Sequence, residues 1–516
     1  MMLAGMVSAL AAVPTSQTIA DGNAADANGK YTISVASSDD HTYQVFQILT
    51  GTLIAGENKL GNPKWGADAK GTTGTDTGVK AFLDSITAAN LSNVQINDLV
   101  EAQLADNAAG QGTVKAGTSM DVVPGYYLIV DTTENLAEGE SKSLNIVAVF
   151  NDITIATKRG TTESDKKVDD NDADKAADNS EWIDSADYSI GDTVPYKLSA
   201  TIAEDYANYT KGYKLTFHDT MGPGLTFNAD SVVVKVNGTT ITNPETGDPY
   251  YRLVTTGLTG GETFQVKFDN LKNITSVAAG SVITVEFNAT LNENAVVTVA
   301  GNPNTSKVTF TNNPNDAQAG EDGETPEDTV IVFTYKTVFN KVDGEGKPLT
   351  GADFTLYKNT GTAESPVWTD VTTLHTGTDA KNPSKTIENL TKGENSADNA
   401  KFTFAGLDAG QYKLVESTTP VGYNTIADQL FTITAEHQVL ADDPQLTSLA
   451  GADGAEFTMT RVENTVELDA DITNNQGSTL PSTGGIGTTL FYIGGGILVL
   501  AAVILLVTKR RMSAND

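Results

Sequence analysis

The sequence predicts an all-β protein: a row of β-sandwich domains, the first with a helical insertion, closed by one C-terminal transmembrane helix. Three observations carry this. Short runs of alternating apolar and polar residues recur at even spacing from Tyr31 to Val466, separated by Gly, Pro, Asn and Asp clusters, the pattern of half-buried strands. Val79–Leu104 breaks that period of two, with Phe82 and Ile86 one helical turn apart and a second apolar group at Ile96, Leu99 and Leu104. Residues 490–507 carry no charge and are long enough to cross a bilayer as a helix. Lys509-Arg510-Arg511 behind them holds the tail on the cytoplasmic side.

Composition narrows the function. The 516 residues suit three or four domains. With 66 carboxylates against 33 basic residues the chain repels phosphates, which argues against a nucleic-acid partner. Cysteine is absent, so neither disulfide staples nor thiol catalysis is available. The four histidines have no metal-ligand spacing and no phosphate-binding loop is present, so no metal and no cofactor is expected. Asp170, Asp172, Asp174 and Glu181 have the spacing of a calcium loop, but Lys175 stands where its sharp turn needs Gly, and the stretch reads as a solvated acidic loop.

In chain order, residues 1–20 read as a secretory leader, with Ala20 before Asp21 as the cleavage point. No Lys or Arg precedes Lys30, so the basic start of such a leader is missing. A first domain covers 21–160, with strands at Tyr31–Val35, Tyr43–Leu49, Gly125–Asp131 and Leu144–Phe150. It closes in Ile153-Thr-Ile155, whose alternation places Thr154, Ala156 and Lys158 on the solvent face. A second domain covers 161–327 and a third 328–469; residues 470–479 are polar, lack periodicity and read as a linker. Leu480-Pro481-Ser482-Thr483-Gly484, the span 490–507 and the tail 508–516 follow.

Within the second and third domains, strand parity singles out polar residues that extend apolar faces. Tyr213, Leu215 and Phe217 lead to Asp219; Val308 and Phe310 lead to Asn312; Lys166 shares a face with Val168. In the third domain Tyr412 and Leu414 lead to Glu416, Asn464 lies between Val462 and Val466, and Lys341 follows Phe339. A buried unpaired charge is expensive, so each domain sets one amine, one carboxyl and one carboxamide against its core. Parity alone leaves two readings open: an ordinary buried hydrogen-bond network, or condensation of a neutral amine with a carboxamide, assisted by a protonated acid.

Family resemblance separates them. Leu480–Gly484 with the span and basic tail resembles the LPxTG cell-wall sorting signal. Ile190-Gly-Asp-Thr-Val-Pro-Tyr196, His218-Asp-Thr-Met-Gly-Pro-Gly-Leu225 and Thr309-Phe-Thr-Asn-Asn-Pro314 resemble the isopeptide-forming domain of fimbrial shaft proteins. Lys341-Val-Asp343, Gly351-Ala-Asp-Phe354, Glu416 with Pro420-x-Gly422-Tyr423, and Val462-x-Asn464-Thr465 resemble the collagen-adhesin B-type, or SpaA-type prealbumin-like, domain. Together they resemble the sortase-assembled major pilins of Gram-positive bacteria. The resemblance implies immunoglobulin-like sandwiches, secretion and a cell-wall location. It implies Lys166–Asn312 and Lys341–Asn464 isopeptide bonds promoted by Asp219 and Glu416, a self-directed single turnover rather than an enzyme activity. It implies cleavage by sortase between Thr483 and Gly484 and transfer of Thr483 to Lys158 of the next subunit, although Ala156-Thr157 stand where the family has Tyr-Pro. The implied partners are pilus-type and housekeeping sortases, neighbouring copies, minor pilins, peptidoglycan and, before processing, the membrane. The alternative is a monomeric wall-anchored adhesin, which shares every feature except a working Lys158.

Overall fold

The computed structural model describes residues 17–19, 29–54, 60–86, 99–155, 161–170, 182–314, 322–371, 400–452, 457–477 and 499. Three two-sheet sandwiches follow one another along the chain.

In the first domain one sheet runs, in spatial order, Gln17–Ile19, Ile153–Ile155, Tyr31–Val35, Ser119–Val122. The facing sheet runs Leu60–Trp65, Thr42–Leu53, Gly125–Asp131, Leu144–Val149, with Gly112–Lys115 also on Thr42–Leu53. Ile33, Val45, Tyr127, Ile129, Val149 and Ile153 fill the space between the sheets. The alternate residues of the same strands, among them Leu49 and Leu128, point the other way and meet Trp65, Phe82 and Leu83. The helical insertion is the cover of this second core: Val79–Ile86 is an α-helix whose Trp65–Phe82 contact has centroids 5.4 Å apart. A strand buried on both faces reads as continuously apolar, as Tyr126–Ile129 does.

The second sandwich pairs the sheet Glu163–Val168, Thr193–Thr201, Val282–Leu291, Leu225–Val236, Thr239–Thr240 with the sheet Ser185–Asp187, Asp328–Phe333, Asn302–Thr311, Leu215–Met221, Phe264–Phe268, Arg252–Val254. Asp322–Glu324 adds to Asn302–Thr311. The sequence reading ended this domain at residue 327, yet Asp328–Phe333 completes its second sheet. The third sandwich pairs Lys401–Leu407, Tyr335–Asp343, Glu467–Asn474, Thr460–Arg461 with Trp368–Asp370, Asp353–Asn359, Gly410–Thr418, Gln429–His437, Leu446–Ala452. Residues 470–474, expected in a linker, belong to its strand Glu467–Asn474, which runs parallel to Tyr335–Asp343. Leu468, Ala470 and Ile472 are buried there, so the stretch is amphipathic at period two; its Asp and Asn residues hid that pattern.

The second and third sandwiches share one continuous apolar core. Their junction is also polar and buried. Asp187 accepts from the Tyr335 hydroxyl at 2.8 Å and from the Ala409 amide at 3.1 Å, while Ile190 N–H donates to the Gly406 carbonyl at 2.9 Å. Ser185 Oγ lies 2.7 Å from His437 Nδ1, and Lys358 Nζ donates to Asp408 at 2.8 Å. Gly406 has φ +79°, and a Cβ there would meet Ile190 Cδ1 at 2.3 Å, so the close approach of the domains depends on this glycine.

Gly406→Ala is expected to cost about 1–3 kcal/mol by overpacking, plus about 1 kcal/mol for the left-handed backbone, and to lower the melting temperature in calorimetry. Gly346→Ala, equally left-handed but facing open space, is expected to show the backbone cost alone.

Candidate cross-linking sites

In the second domain Lys166 is held by the antiparallel pairing of Glu163–Val168 with Thr193–Thr201, opposite Leu198. It is 0% exposed, and its Nζ lies 2.5 Å from Asp219 Oδ2, also 0% exposed. The rings of Tyr196 and Phe287, stacked on each other, stand 5.7 Å from the same nitrogen. Burial pulls the Lys166 amine below its ordinary range, and the opposing pull of Asp219 is the smaller effect. Burial likewise pushes the Asp219 carboxyl up, against Lys166. Both partners are thus driven toward their neutral forms, the forms a condensation requires.

The register decides the third member. Leu215, Phe217, Asp219 and Met221 lie opposite Phe310, Val308, Ser306 and Asn304 in turn. Asn304 is therefore diagonal to Asp219 on the same buried face, and it is 0% exposed. Its carboxamide faces Asp219 closely enough to favour the charged acid. Full hydrogen-bond geometry is nevertheless unmet: Asp219 Oδ1 and both polar atoms of the Asn304 side chain have no partner. Asn312, the residue chosen from the sequence, is not brought to Lys166. It lies beyond the far end of the same strand, about 20 Å along from Ser306 at ~3.3 Å per residue, where it packs on Gly323 and accepts from the Lys142 amide at 2.7 Å. Parity was the correct criterion for the face, since 304 and 312 share it. It does not say which rung stands beside the acid.

The third domain repeats the arrangement with a different local scaffold. Lys341 is 0% exposed and its Nζ donates to the carbonyls of Ile472 at 2.9 Å and Val342 at 3.0 Å. Burial lowers its pKa to about 8, with Glu416 and Asp343 pulling the other way. Glu416 Oε1 accepts from Asn474 Nδ2 at 2.8 Å; its Oε2 accepts from the Ile426 amide at 3.1 Å and the Thr419 hydroxyl at 3.2 Å. Asn474 also donates to the Asn424 carbonyl at 3.0 Å and is 0% exposed, with Oδ1 unpartnered. Parallel pairing of Lys341 with Ile472 and of Asp343 with Asn474 brings the amine and carboxamide to one end of the strand pair. Asn464 is not part of this site: it is exposed, at φ +60° in the turn ahead of Glu467–Asn474. The run Leu468, Ala470, Ile472, Asn474 is the sequence signal that would have found the carboxamide.

Lys158, Leu480–Gly484 and the span 490–507 (residue 499 apart) lie outside the described residues. Among the described residues no helix is long and apolar enough to cross a membrane, and no group of His, Cys, Asp or Glu is placed to hold a metal ion.

Comparison with known proteins agrees with this anatomy. Residues 190–314 match the family model of the Gram-positive pilin backbone subunit 2, Cna-B-like domain; residues 336–444 match the SpaA prealbumin-like fold domain; residues 472–513 match the LPXTG cell wall anchor motif. These matches mark a cell-wall-anchored surface protein that carries a Gram-positive pilin-backbone domain and a prealbumin-like domain. It is 26% identical to the trypsin-resistant surface T6 protein of Streptococcus pyogenes serotype M6 over 361 residues, which is 63% of this chain and 65% of that protein. It therefore spans a little under two thirds of that relative's length. Among solved structures, the T6 backbone pilin of that serotype has 17% identity and a TM-score of 0.48, covering 89% of this chain and 100% of its own. The major pilin SpaA of Corynebacterium diphtheriae has 14% identity and a TM-score of 0.42, covering 87% of this chain and 100% of its own.

Asn304→Ala and Asn474→Ala are each expected to restore about 17 Da, one ammonia, to the intact mass, while Asn312→Ala and Asn464→Ala leave the deficit unchanged. Each lost bond should lower unfolding free energy by about 4–5 kcal/mol in denaturant titrations, by the loop-entropy argument for a ring of over a hundred residues.

Proposed function

We propose that the chain is a shaft-forming pilin subunit whose second and third domains each close an intramolecular isopeptide bond, Lys166 to Asn304 and Lys341 to Asn474. The observation that carries the reading is the pair of fully buried lysines: Lys166 bonded to Asp219 with Asn304 on the same buried face, and Lys341 paired with Ile472, two residues from Asn474, which donates to Glu416. In each site the neutral lysine nitrogen attacks the carboxamide carbon. The carbon–Nδ2 bond breaks as a proton reaches Nδ2 from the acid, ammonia leaves, and the acid recovers its proton from the lysine nitrogen. Asp219 and Glu416 are the acids. Atoms and charge balance without a cofactor, and the step occurs once per domain.

Polymerisation joins these domains end to end. Sortase cuts between Thr483 and Gly484 and passes the Thr483 carbonyl to the Lys158 amine of a neighbouring copy; the last subunit passes to peptidoglycan. The anchor motif, the pilin-backbone domain and the position of Lys158 at the end of the first domain support this reading over a monomeric adhesin. Minor pilins would join the same polymer.

Ladders of wall-extracted protein on denaturing gels should disappear with Lys158→Ala and with Thr483→Ala; ladders that survive Lys158→Ala assign the acceptor to another lysine. The condensation itself should depend on pH. In chain collected unfolded and then refolded, bond formation in the third domain, followed by mass, should accelerate as pH rises through about 8, where Lys341 loses its proton, and level off above it.

A further inference from the structure

The lysine and the carboxamide of the second domain stand in different sheets, so strand pairing does not set one against the other. Lys166 is on Glu163–Val168, an edge strand of one sheet, and Asn304 is on Asn302–Thr311 in the facing sheet. In the third domain Lys341 and Asn474 are on adjacent paired strands, and register alone aligns them. The second domain therefore needs a tie across its sandwich, and Asp328 makes one. Its Oδ2 accepts from the Lys166 backbone N–H at 2.6 Å. Asp328 pairs with Ser306, which pairs on its other side with Asp219. One rung thus reads Asp219, Ser306, Asp328, about 10 Å from end to end at ~4.8 Å per strand. Lys166 spans this rung, its amine on Asp219 Oδ2 at 2.5 Å and its amide on Asp328. Asn304 is two residues from Ser306 on the middle strand. Thr325 adds a second tie nearby: its Oγ1 lies 2.6 Å from Ser164 Oγ and accepts from the Val308 amide at 3.0 Å.

We propose that Asp328 is a positioning residue for the condensation of Lys166 with Asn304: it holds the backbone of Lys166 while Asp219 holds the amine, so the side chain is stretched along the rung beside the carboxamide. The inference rests on the reading that this bond forms. An intramolecular attack is fast only when the reacting atoms are already in place, and a misplacement of about 1 Å can cost about a hundredfold in rate. Without Asp328 the strand Glu163–Val168 keeps its pairing with Thr193–Thr201, but at Lys166 it loses its tie to the sheet that carries Asn304. The contact asks only for a hydrogen-bond acceptor. Asp328→Asn keeps a carbonyl oxygen there for the Lys166 amide, and Asp328→Ala removes it.

The test uses the full chain, collected unfolded and then refolded. Digestion at intervals follows two cross-linked peptides by mass, one joining Lys166 to Asn304 and one joining Lys341 to Asn474. In Asp328→Ala the first peptide should appear at least about tenfold more slowly and the second at its usual rate, while Asp328→Asn should stay within about threefold of wild type for both. Asp328→Ala at the wild-type rate, or Asp328→Asn as slow as Asp328→Ala, overturns the positioning role and leaves the condensation standing. Wild-type chain that never yields the Lys166–Asn304 peptide overturns the condensation itself. Pulsed hydrogen exchange on refolding wild-type chain does not depend on how well a variant folds. The Lys166 amide, whose acceptor is Asp328, should be protected before the cross-linked peptide appears; a cross-link that precedes this protection overturns the positioning role.

Discussion

Two fully buried lysines govern this structure. A fully desolvated ammonium is among the most expensive groups a core can hold, and Lys166 and Lys341 are both 0% exposed. Each domain supplies one carboxyl nearby, and that carboxyl is itself buried. Neither an intact ion pair nor isolated neutral groups is a comfortable end state. Asp219 Oδ1 and the Asn304 amide atoms lack a hydrogen bond of full geometry. The proposed condensation would remove the problem at its source, converting amine and carboxamide into one amide whose polar atoms number fewer. In the proposed reading the sandwich tolerates an unfavourable interior during folding because the same interior favours the condensation that would end it.

The two sites reach this condition by different local means. Asp219 touches Lys166 directly and lacks backbone donors, whereas Glu416 is held by Thr419, the Ile426 amide and Asn474, and Lys341 points at carbonyls instead. The loop from Thr419 to Ile426 thus orients both the acid and, through the Asn424 carbonyl, the carboxamide. That loop also bonds the chain on its way out of the third domain, through Asn424 to Asn475 and Gly422 to Gly477. Between the domains, Asp187 and Asp408 form a second buried acid cluster. Burial, then the neighbouring Asp187, holds the Asp408 carboxyl far above the usual range, while Lys358 opposes this. The second and third sandwiches consequently meet over a buried polar seam as well as a shared apolar core.

Alternation along the chain made the sandwich architecture, the helical insertion and the inward direction of Asp219 and Glu416 legible from sequence. It could not place the carboxamides. Period-two parity is blind to translation along a strand, so Asn312 and Asn304 were equivalent until strand pairing set Met221 opposite Asn304. In the third domain the failure was compositional. Asp469, Asp471 and Asn475 made the last strand look like a polar linker, although its buried residues keep strict alternation from Leu468 to Asn474. The junction acids were also invisible, since Asp187 and Asp408 are more than two hundred residues apart and become neighbours only through domain packing.

The position of Asn304 has a mechanical consequence. With both bonds closed, a pull between Lys158 and Thr483 travels through covalent bonds from Lys166 straight to Asn304 and from Lys341 straight to Asn474. Residues 167–303 and 342–473 carry no tension and cannot be drawn out. Asn304, however, is not on the final strand of its sandwich: the rest of Asn302–Thr311, then Asp328–Phe333 and the start of Tyr335–Asp343, remain in series between the two staples. In that reading three unstapled stretches, 159–165, 305–340 and 475–482, carry the tension in series with the two staples, the middle one where the shared core joins the second sandwich to the third.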